Sequence, residues 1–172
     1  ARQSPRYARH YMKSSDPCLI YFTSGTVGNP KMVLHSHAYP LGHTITGKYW
    51  LDLTPNDLHY NASDTGWAKA AWSSLFAPWL MGAALFVQDA RGKFNPTELL
   101  ALLTHYPVST FCAPPTVYRV LVQQDLSQYP FAALRHCVGA GEPLNPEVID
   151  AWRAATGITI RDGYGQTETV LI

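Results

Sequence analysis

The stretch PEVIDAWRAATGITI, residues 146–160, decides the fold class of this chain. Proline stands at its first position, apolar residues recur at three-to-four spacing as far as Thr156, and Gly157 then provides a helix stop. A short apolar run with β-branched residues, 158–160, follows at once. The segment therefore predicts a helix, a turn and a strand in succession.

The same unit recurs along the chain. Helices that begin with proline are predicted over Pro96–Tyr106 and Pro115–Gln124. Short β-rich runs predict strands at Cys18–Phe22, Met32–Leu34, Leu58–Tyr60, Ala84–Val87, Val108–Cys112, His136–Val138 and Ile158–Ile160. This alternation predicts a layered α/β fold, a mostly parallel sheet with flanking helices. Ligands of such sheets bind at the carboxyl ends of the strands, where this sequence has its glycine-rich and polar segments.

Composition excludes several classes of partner. The 172 residues carry 13 Lys and Arg against 12 Asp and Glu, and no basic run suggests nucleic acid or a membrane surface as a partner. No stretch of about 18 apolar residues predicts a membrane span. Cys18, Cys112 and Cys137 are widely separated and form no C-x-x-C pair, so neither a disulfide framework nor a zinc knuckle is expected. We expect a soluble protein of a reducing compartment.

A glycine-rich loop follows the first predicted strand. It comprises Thr23, Ser24, Gly25, Thr26, Val27, Gly28, Asn29, Pro30 and Lys31. Glycine lets the backbone approach an anion closely, hydroxyls add donors, and a lysine ammonium supplies a compact positive charge. The loop composition therefore indicates phosphate binding, with an ordinary polar turn as the alternative.

The loop is not the P-loop of ATPases. That motif requires G-x-x-x-x-G-K-[ST] followed by a helix. Here Lys31 stands three residues after Gly28, Met32 occupies the Ser/Thr position, and the segment MVLHSH reads as a strand.

Two later segments offer further binding groups. Gly141, Glu142 and Pro143 follow a predicted strand, and a flat ring could lie against such a glycine-rich backbone, although a tight strand-to-helix turn explains the glycines equally well. The run Asp162, Gly163, Tyr164, Gly165, Gln166, Thr167 and Glu168 follows another strand. Its aromatic ring, hydroxyl and carboxylate suit stacking, phosphate contact and Mg²⁺ ligation, because Mg²⁺ prefers carboxylate and phosphate oxygens. A solvated loop is the alternative.

Together, the three segments resemble the signatures of the adenylate-forming superfamily of acyl-CoA synthetases, luciferases and peptide-synthetase adenylation domains. The motifs are YFTSGTVGNPK, VGAGEPLNPEV and DGYGQTETV. The stretch NASDTGWAKAAWSSLFAPWLMGAALFV further resembles medium-chain acyl-CoA synthetases. The resemblance implies that residues 1–172 are one partial AMP-binding domain, with 1–17 as an N-terminal extension and the C-terminal subdomain absent.

The resemblance also implies roles for individual residues. Residues 23–31 would hold the β- and γ-phosphates of ATP, residues 141–143 would border the adenine, and Tyr164 would stack on it. Thr167 would contact the α-phosphate and Glu168 would bind Mg²⁺, so that Lys31, Thr167 and Glu168 are the expected catalytic residues. Many relatives have Thr or Ser where this chain has Val27. The missing hydroxyl predicts an altered nucleotide affinity, because a lost hydrogen bond is worth roughly 1 kcal/mol.

The implied activity is ATP-dependent formation of an acyl-adenylate from a medium-chain carboxylic acid and its transfer to CoA. Two alternatives stay open, namely transfer to a carrier-protein thiol and a non-catalytic nucleotide-binding fragment. The chain itself is expected to be inactive without the C-terminal subdomain. A cytoplasmic location is expected, with the mitochondrial matrix as the alternative because a presequence could precede Ala1.

Aromatic and histidine residues between the motifs allow more than one interpretation. Trp67 and Trp72 stand on a predicted helix and either fill the core or lie beside the acyl chain. His35, His37 and His43 superficially suggest a metal site, but no further ligand has suitable spacing. Hydrogen-bonded histidines beside the phosphate loop or the acyl pocket are the favoured interpretation.

Overall fold

The computed structural model describes residues 11–23 and 29–171. Its strands are β1 Pro17–Thr23, β2 Lys31–Ser36, β3 Leu58–Asn61, β4 Ala84–Phe86, β5 Thr110–Ala113, β6 His136–Ala140 and β7 Ile160–Gly163. Its α-helices are α1 Tyr39–Ile45, α2 Ala68–Ala71, α3 Ala77–Met81, α4 Pro96–His105, α5 Pro115–Leu121 and α6 Pro146–Thr156. Two π-helical segments, Thr46–Trp50 and Trp72–Phe76, and a 3₁₀ turn, Leu126–Gln128, complete the described elements.

Five strands form one parallel sheet in the order β4-β3-β5-β6-β7. The chain runs from β3 outward to β4 and then returns to place β5 on the other side of β3. The strand order thus reverses between β3 and β5, and the carboxyl ends of these two strands border a crevice. The predicted α/β fold with a mostly parallel sheet is confirmed.

The first two strands do not join this sheet. They form a separate antiparallel hairpin in which Thr23 pairs with Lys31 and Phe22 with Met32. The short connection explains the difference, because parallel strands need a crossover of a dozen or more residues whereas antiparallel strands can be joined directly.

The predicted helices begin where the sequence indicated. The side chain of Asn95 accepts hydrogen bonds from the backbone N–H groups of Thr97 and Glu98 and so caps helix α4. Helix α6 ends at Gly157, whose left-handed φ of 76° allows its N–H to bond the carbonyl of Arg153 at 2.8 Å. Both ends follow from local chemistry.

Several predicted boundaries shift. Helix α5 ends at Leu121 rather than Gln124, because the residues beyond it form a turn. Strand β5 begins at Thr110 rather than Val108, and β7 covers 160–163 rather than 158–160. The ladder between β6 and β7 explains the shift of β7, since its first pair joins Cys137 to Ile160 and the pairing continues to Gly163.

A compact helical layer covers one part of the sheet. Helix α1 continues into the first π-helical segment, and α2 continues through the second into α3. A Cβ at Gly47 would lie 2.8 Å from Met81 Cγ and 3.0 Å from the carbonyl oxygen of Ala77, so glycine permits the close contact of these helices. This layer fixes the position of α2 relative to the sheet.

The central strands carry the core. All residues of β5 and β6 are buried, as expected for parallel strands covered on both faces. One core cluster contains Trp152 of α6 and Tyr118 of α5 against Phe111, and the other contains Trp50, Trp72 and Leu171. The carboxyl ends of β5 and β6 therefore project from a rigid base.

Candidate active site

A cleft of about 580 Å³ lies at the carboxyl edge of the parallel sheet. Residues 62–64 follow β3, Pro114 and Thr116 follow β5, residues 140–142 end β6, and residues 165–167 follow β7. Helix α2 and its flanking tryptophans, Trp67 and Trp72, supply another wall. The cleft thus lies where the strand order reverses, the usual ligand site of open α/β sheets.

The described ends of the glycine-rich loop meet at the tip of the hairpin. Thr23 closes β1, Lys31 opens β2, and the two residues are Cα partners. Asn29, Pro30 and Lys31 are exposed. Ser24, Gly25, Thr26, Val27 and Gly28 lie outside the described residues, so their predicted phosphate contacts stay a prediction.

The segment 141–143 turns away from the end of β6. Gly141 has a φ of 115°, a conformation that L side chains rarely adopt and that explains glycine at this position. Glu142 forms an ion pair of 3.3 Å with Arg119, which also donates to the carbonyl of Pro143. Gly141 and Glu142 line the cleft. Helix α5 therefore holds the predicted adenine-side segment in place.

The beginning of the third predicted segment belongs to the sheet. Asp162 and Gly163 are the last residues of β7, and the Asp162 carboxylate accepts a 3.3 Å hydrogen bond from the Leu144 N–H. A Cβ at Gly163 would lie 2.5 Å from the indole of Trp50. Asp162 thus bonds the end of β7 to Leu144, and Gly163 allows the strand to pack closely against Trp50. The sequence did not predict the Asp162 hydrogen bond.

The rest of this segment reaches the cleft. Gly165, Gln166 and Thr167 line it, whereas Tyr164 is 69% exposed and Glu168 is exposed in the following turn. Nε2 of His35 donates to the Thr167 carbonyl oxygen at 2.7 Å and so connects strand β2 to this turn. The hairpin and the third segment are therefore directly linked.

A second cavity of about 560 Å³ lies between the hairpin and helix α2. Residues 20–23 of β1, Gly66, Trp67, Ala68 and Thr167 line it. Because Trp67 and Thr167 border both cavities, the hairpin tip, α2 and the third segment surround one continuous region. The structure thus brings together the described parts of all three sequence motifs.

The two tryptophans near α2 have different environments. Trp67 is 69% exposed and precedes the helix in an extended conformation. Trp72 is only 5% exposed, and its Nε1 donates to the hydroxyl of Tyr39. Core packing therefore accounts for Trp72, while Trp67 offers a free aromatic face to the cleft.

Lys69 is a residue of the cleft that sequence reasoning missed. It lies on α2, is only 8% exposed, and donates a 2.8 Å hydrogen bond from Nζ to the Ala140 carbonyl oxygen. Burial lowers the pKa of its ammonium, and the nearby carboxylates of Asp162 and Glu142 oppose that shift. A lysine in the otherwise apolar run WAKAAW is the one signal in the sequence that pointed to it.

The three histidines have separate environments. His35 is hydrogen bonded to the Thr167 carbonyl oxygen, and His37 lies beyond the end of β2. His43 is fully buried between Trp72 and Phe76, and burial lowers its pKa to about 4. Over residues 11–23 and 29–171, no three His, Cys, Asp or Glu side chains form a metal-binding group.

The fold and the position of this cleft define an α/β domain with its ligand site at the carboxyl edge of a parallel sheet. The chain belongs to the AMP-binding enzyme family, whose model matches residues 2–172. Human mitochondrial acyl-coenzyme A synthetase ACSM3 is 53% identical over 161 residues, which cover 93% of this chain and 27% of that protein. Rat mitochondrial ACSM4 is 54% identical over 160 residues, 92% of this chain and 27% of that protein. The chain therefore spans about a quarter of the length of these curated relatives.

Solved structures agree with the family. An acyl-CoA synthetase of Brucella canis is 30% identical with a TM-score of 0.82, over 91% of this chain and 28% of that one. The anthranilate CoA ligase AuaEII, solved with anthranoyl-AMP, is 31% identical with a TM-score of 0.80, over 90% of this chain and 30% of that one.

No helix in the described part of the chain is long and apolar enough to span a membrane.

Proposed function

We propose that this chain is the nucleotide- and acid-binding part of an AMP-forming acyl-CoA synthetase. The observation that carries the proposal is that the described parts of the three motif segments border two adjoining cavities, at the sheet edge where the strand order reverses. The names of the relatives, acyl-coenzyme A synthetases and a CoA ligase, favour a carboxylic acid and CoA as substrates. We infer a medium-chain acid from the resemblance in residues 61–87.

The proposed positions of ATP follow from the loops around the cleft. The glycine-rich loop with Lys31 would bind the β- and γ-phosphates, residues 141–143 would border the adenine, and the exposed ring of Tyr164 would stack on it. Thr167 would contact the α-phosphate, because it lies where the two cavities meet. The acid would occupy the side of the cleft lined by Trp67 and α2.

Glu168 fits the expected role of a Mg²⁺ ligand. Its carboxylate is exposed in the turn next to Thr167, and within the described residues it forms no ion pair. One carboxylate beside substrate phosphates is sufficient for Mg²⁺. When bound, the ion would neutralise charge on the phosphates.

The proposed reaction has two steps. The carboxylate oxygen attacks the α-phosphorus of ATP, and the bond from this phosphorus to the oxygen that bridges to the β-phosphate breaks. Pyrophosphate is released, and the acyl-adenylate remains. The CoA thiol, losing its proton, then attacks the acyl carbonyl, and AMP leaves with the bonding electrons. The residues around the cleft would align the carboxylate with the α-phosphorus and stabilise the developing charge.

Other parts of the complete protein would contribute to this reaction. We infer that residues 1–172 form one partial AMP-binding domain and that a C-terminal subdomain of the parent protein completes the site. Since the relatives ACSM3 and ACSM4 are named as mitochondrial, we propose the mitochondrial matrix rather than the cytoplasm as the location. Protease protection in fractionated cells distinguishes the two locations.

Carboxylate-dependent ATP–pyrophosphate exchange by the complete protein tests the proposal. Acetate, butyrate, octanoate and benzoate are compared, and the CoA ester is measured by mass spectrometry. Exchange that depends on octanoate, followed by octanoyl-CoA formation, supports the proposal. Exchange without the CoA ester indicates a carrier-protein acceptor instead, and ATP binding without exchange indicates a nucleotide-binding module.

The variant Glu168→Gln tests the role of its carboxylate. We expect at least about a tenfold loss of exchange and a higher Mg²⁺ requirement, since a charged oxygen ligand is replaced by a neutral amide. Glu147→Gln, an exposed carboxylate in the first turn of α6, is the matched control. Equal activity of the two variants would contradict the role of Glu168.

A further inference from the structure

The buried lysine of the cleft has fewer partners than its charge requires. An ammonium carries three donors, and Lys69 uses one of them in the 2.8 Å bond to the Ala140 carbonyl. Among the described residues, it forms no ion pair with a carboxylate. A charge that is removed from water without a counter-ion is costly, and a charged ligand that bonds it recovers part of that cost.

The nearby acidic side chains are bound to other groups. Glu142 pairs with Arg119 at 3.3 Å, and the Asp162 carboxylate accepts from the Leu144 N–H. Both raise the pKa of Lys69 without contacting its ammonium, and burial lowers it. The group therefore sits near acidic side chains that do not neutralise it directly.

The walls around the ammonium favour an amphipathic ligand. Lys69 and Ala140 line the cleft together with the aromatic side chains of Trp67 and Trp72 and the methyl group of Ala68. A ligand with an anionic head and an apolar chain could place the head on Nζ and the chain along these apolar surfaces. A neutral polar ligand would leave the charge without a counter-ion.

We propose that Lys69 is a substrate-binding residue whose ammonium bonds a carboxylate oxygen of the acid and selects the acid over neutral analogues. The inference rests on the proposed function, because it assigns the acid to the cleft described above. The hydrogen bond to Ala140 then fixes Nζ at the end of β6, so that the carboxylate is held at the sheet edge beside the phosphate-binding segments.

Binding measurements on the complete protein test this assignment. Octanoate and octanamide, which differ in charge but share one chain, are titrated while tryptophan fluorescence is recorded, since Trp67 and Trp72 line the same cleft. We expect octanoate to bind at least about tenfold more tightly than octanamide, the range of a hydrogen bond to a charged group. In Lys69→Met this preference should disappear.

Two further variants separate binding from folding. Lys69→Gln keeps an N–H donor for Ala140 but loses the charge, so it should also lose the preference even if Lys69→Met is unstable. Lys93→Met removes an exposed lysine outside the cleft and should behave as wild type. Thermal unfolding of each variant is measured in parallel.

The outcomes distinguish this inference from the proposed function. A charge preference that depends on Lys69, without pyrophosphate exchange, supports the lysine assignment and contradicts the adenylation reaction. If pyrophosphate exchange occurs, and wild type and Lys69→Gln prefer octanoate over octanamide to the same extent, the lysine assignment is overturned and the proposed reaction stands. A wild-type protein that binds octanoate and octanamide equally also overturns it.

Discussion

Arg135 binds Asp57 through two parallel hydrogen bonds, from Nε at 2.9 Å and from Nη2 at 2.7 Å, across 78 residues of sequence. The Asp57 side chain is 4% exposed, and it also accepts from the hydroxyls of Thr54 and Ser109. Arg135 additionally pairs with Asp52. The contact joins the start of β3 to the start of β6 at the edge of the sheet opposite the cleft.

Replacement of Asp57 should destabilise the protein. Asp57→Asn leaves the arginine next to a neutral amide, and we expect a loss of about 2 kcal/mol in the free energy of unfolding. The value is below the usual cost of breaking a buried pair, because the Arg135 side chain is 39% exposed and stays partly solvated. Urea unfolding measures the loss. Asp150→Asn, in the exposed pair with Arg153, is the control and should change stability by less than about 0.5 kcal/mol.

The same carboxylate predicts a dependence of stability on pH. Hydrogen bonds from Arg135, Ser109 and Thr54 hold the pKa of Asp57 well below its usual range, although burial acts in the opposite direction. The resulting stabilisation is complete above the unfolded-state pKa of about 3.9 and is lost as the pH falls through the lower folded-state value. The difference in unfolding free energy between wild type and Asp57→Asn should therefore shrink below about pH 4. A difference that stays constant to pH 2 would show that another group is responsible.

Gly163 should not tolerate a side chain. Its added Cβ would lie 2.5 Å from Trp50 Cε2 and Nε1, so the indole or the strand must move. We expect Gly163→Ala to cost about 1–3 kcal/mol in stability, the range of overpacked cores. Gly139→Ala is the matched control in the neighbouring strand, because its Cβ would meet Ala113, Ile160 and Leu144 at an ordinary 3.7 Å. Chemical unfolding measures the stability of both variants. Equal losses of stability would contradict the steric clash with Trp50.

The two tryptophans beside α2 should separate stability from ligand binding. Trp72→Ala removes a buried side chain and should lower the free energy of unfolding by about 3–5 kcal/mol. Trp67→Ala removes an exposed ring and should change stability by less than about 0.5 kcal/mol while weakening the binding of octanoate. Thermal unfolding and fluorescence titration are measured together. A stable Trp67→Ala protein with unchanged octanoate affinity would contradict a role of this ring beside the acyl chain.

Local signals in the sequence predicted much of the fold. The proline at the start of each long helix and Gly157 at the end of α6 act through backbone chemistry that needs no tertiary context. The antiparallel pairing of β1 and β2 was not predicted, although the short loop between them already excluded a crossover. The π-helical segments were not predicted either, because helical spacing alone does not distinguish them from α-helix.

The site was predictable to the extent that its groups belong to sequence motifs. Residues 141–143 follow the end of β6. Residues 162–168 comprise the last two residues of β7 and the turn after it. The residues that line the cleft include 141, 142 and 167. Lys69 could not be recognised in the same way, since its burial depends on the packing of α2 against the end of β6. Long-range burial of a charge has no local signature.

The two π-helical segments bear on how related chains of different length are compared. A π turn is formed when one additional residue is accommodated within an α-helix. Deletion of one residue from 46–50 or from 72–76 can therefore be absorbed by a return to α-helical geometry, while the strands keep their places. A one-residue alignment gap at either segment records a change of helix type and leaves the corresponding positions on both sides of it equivalent.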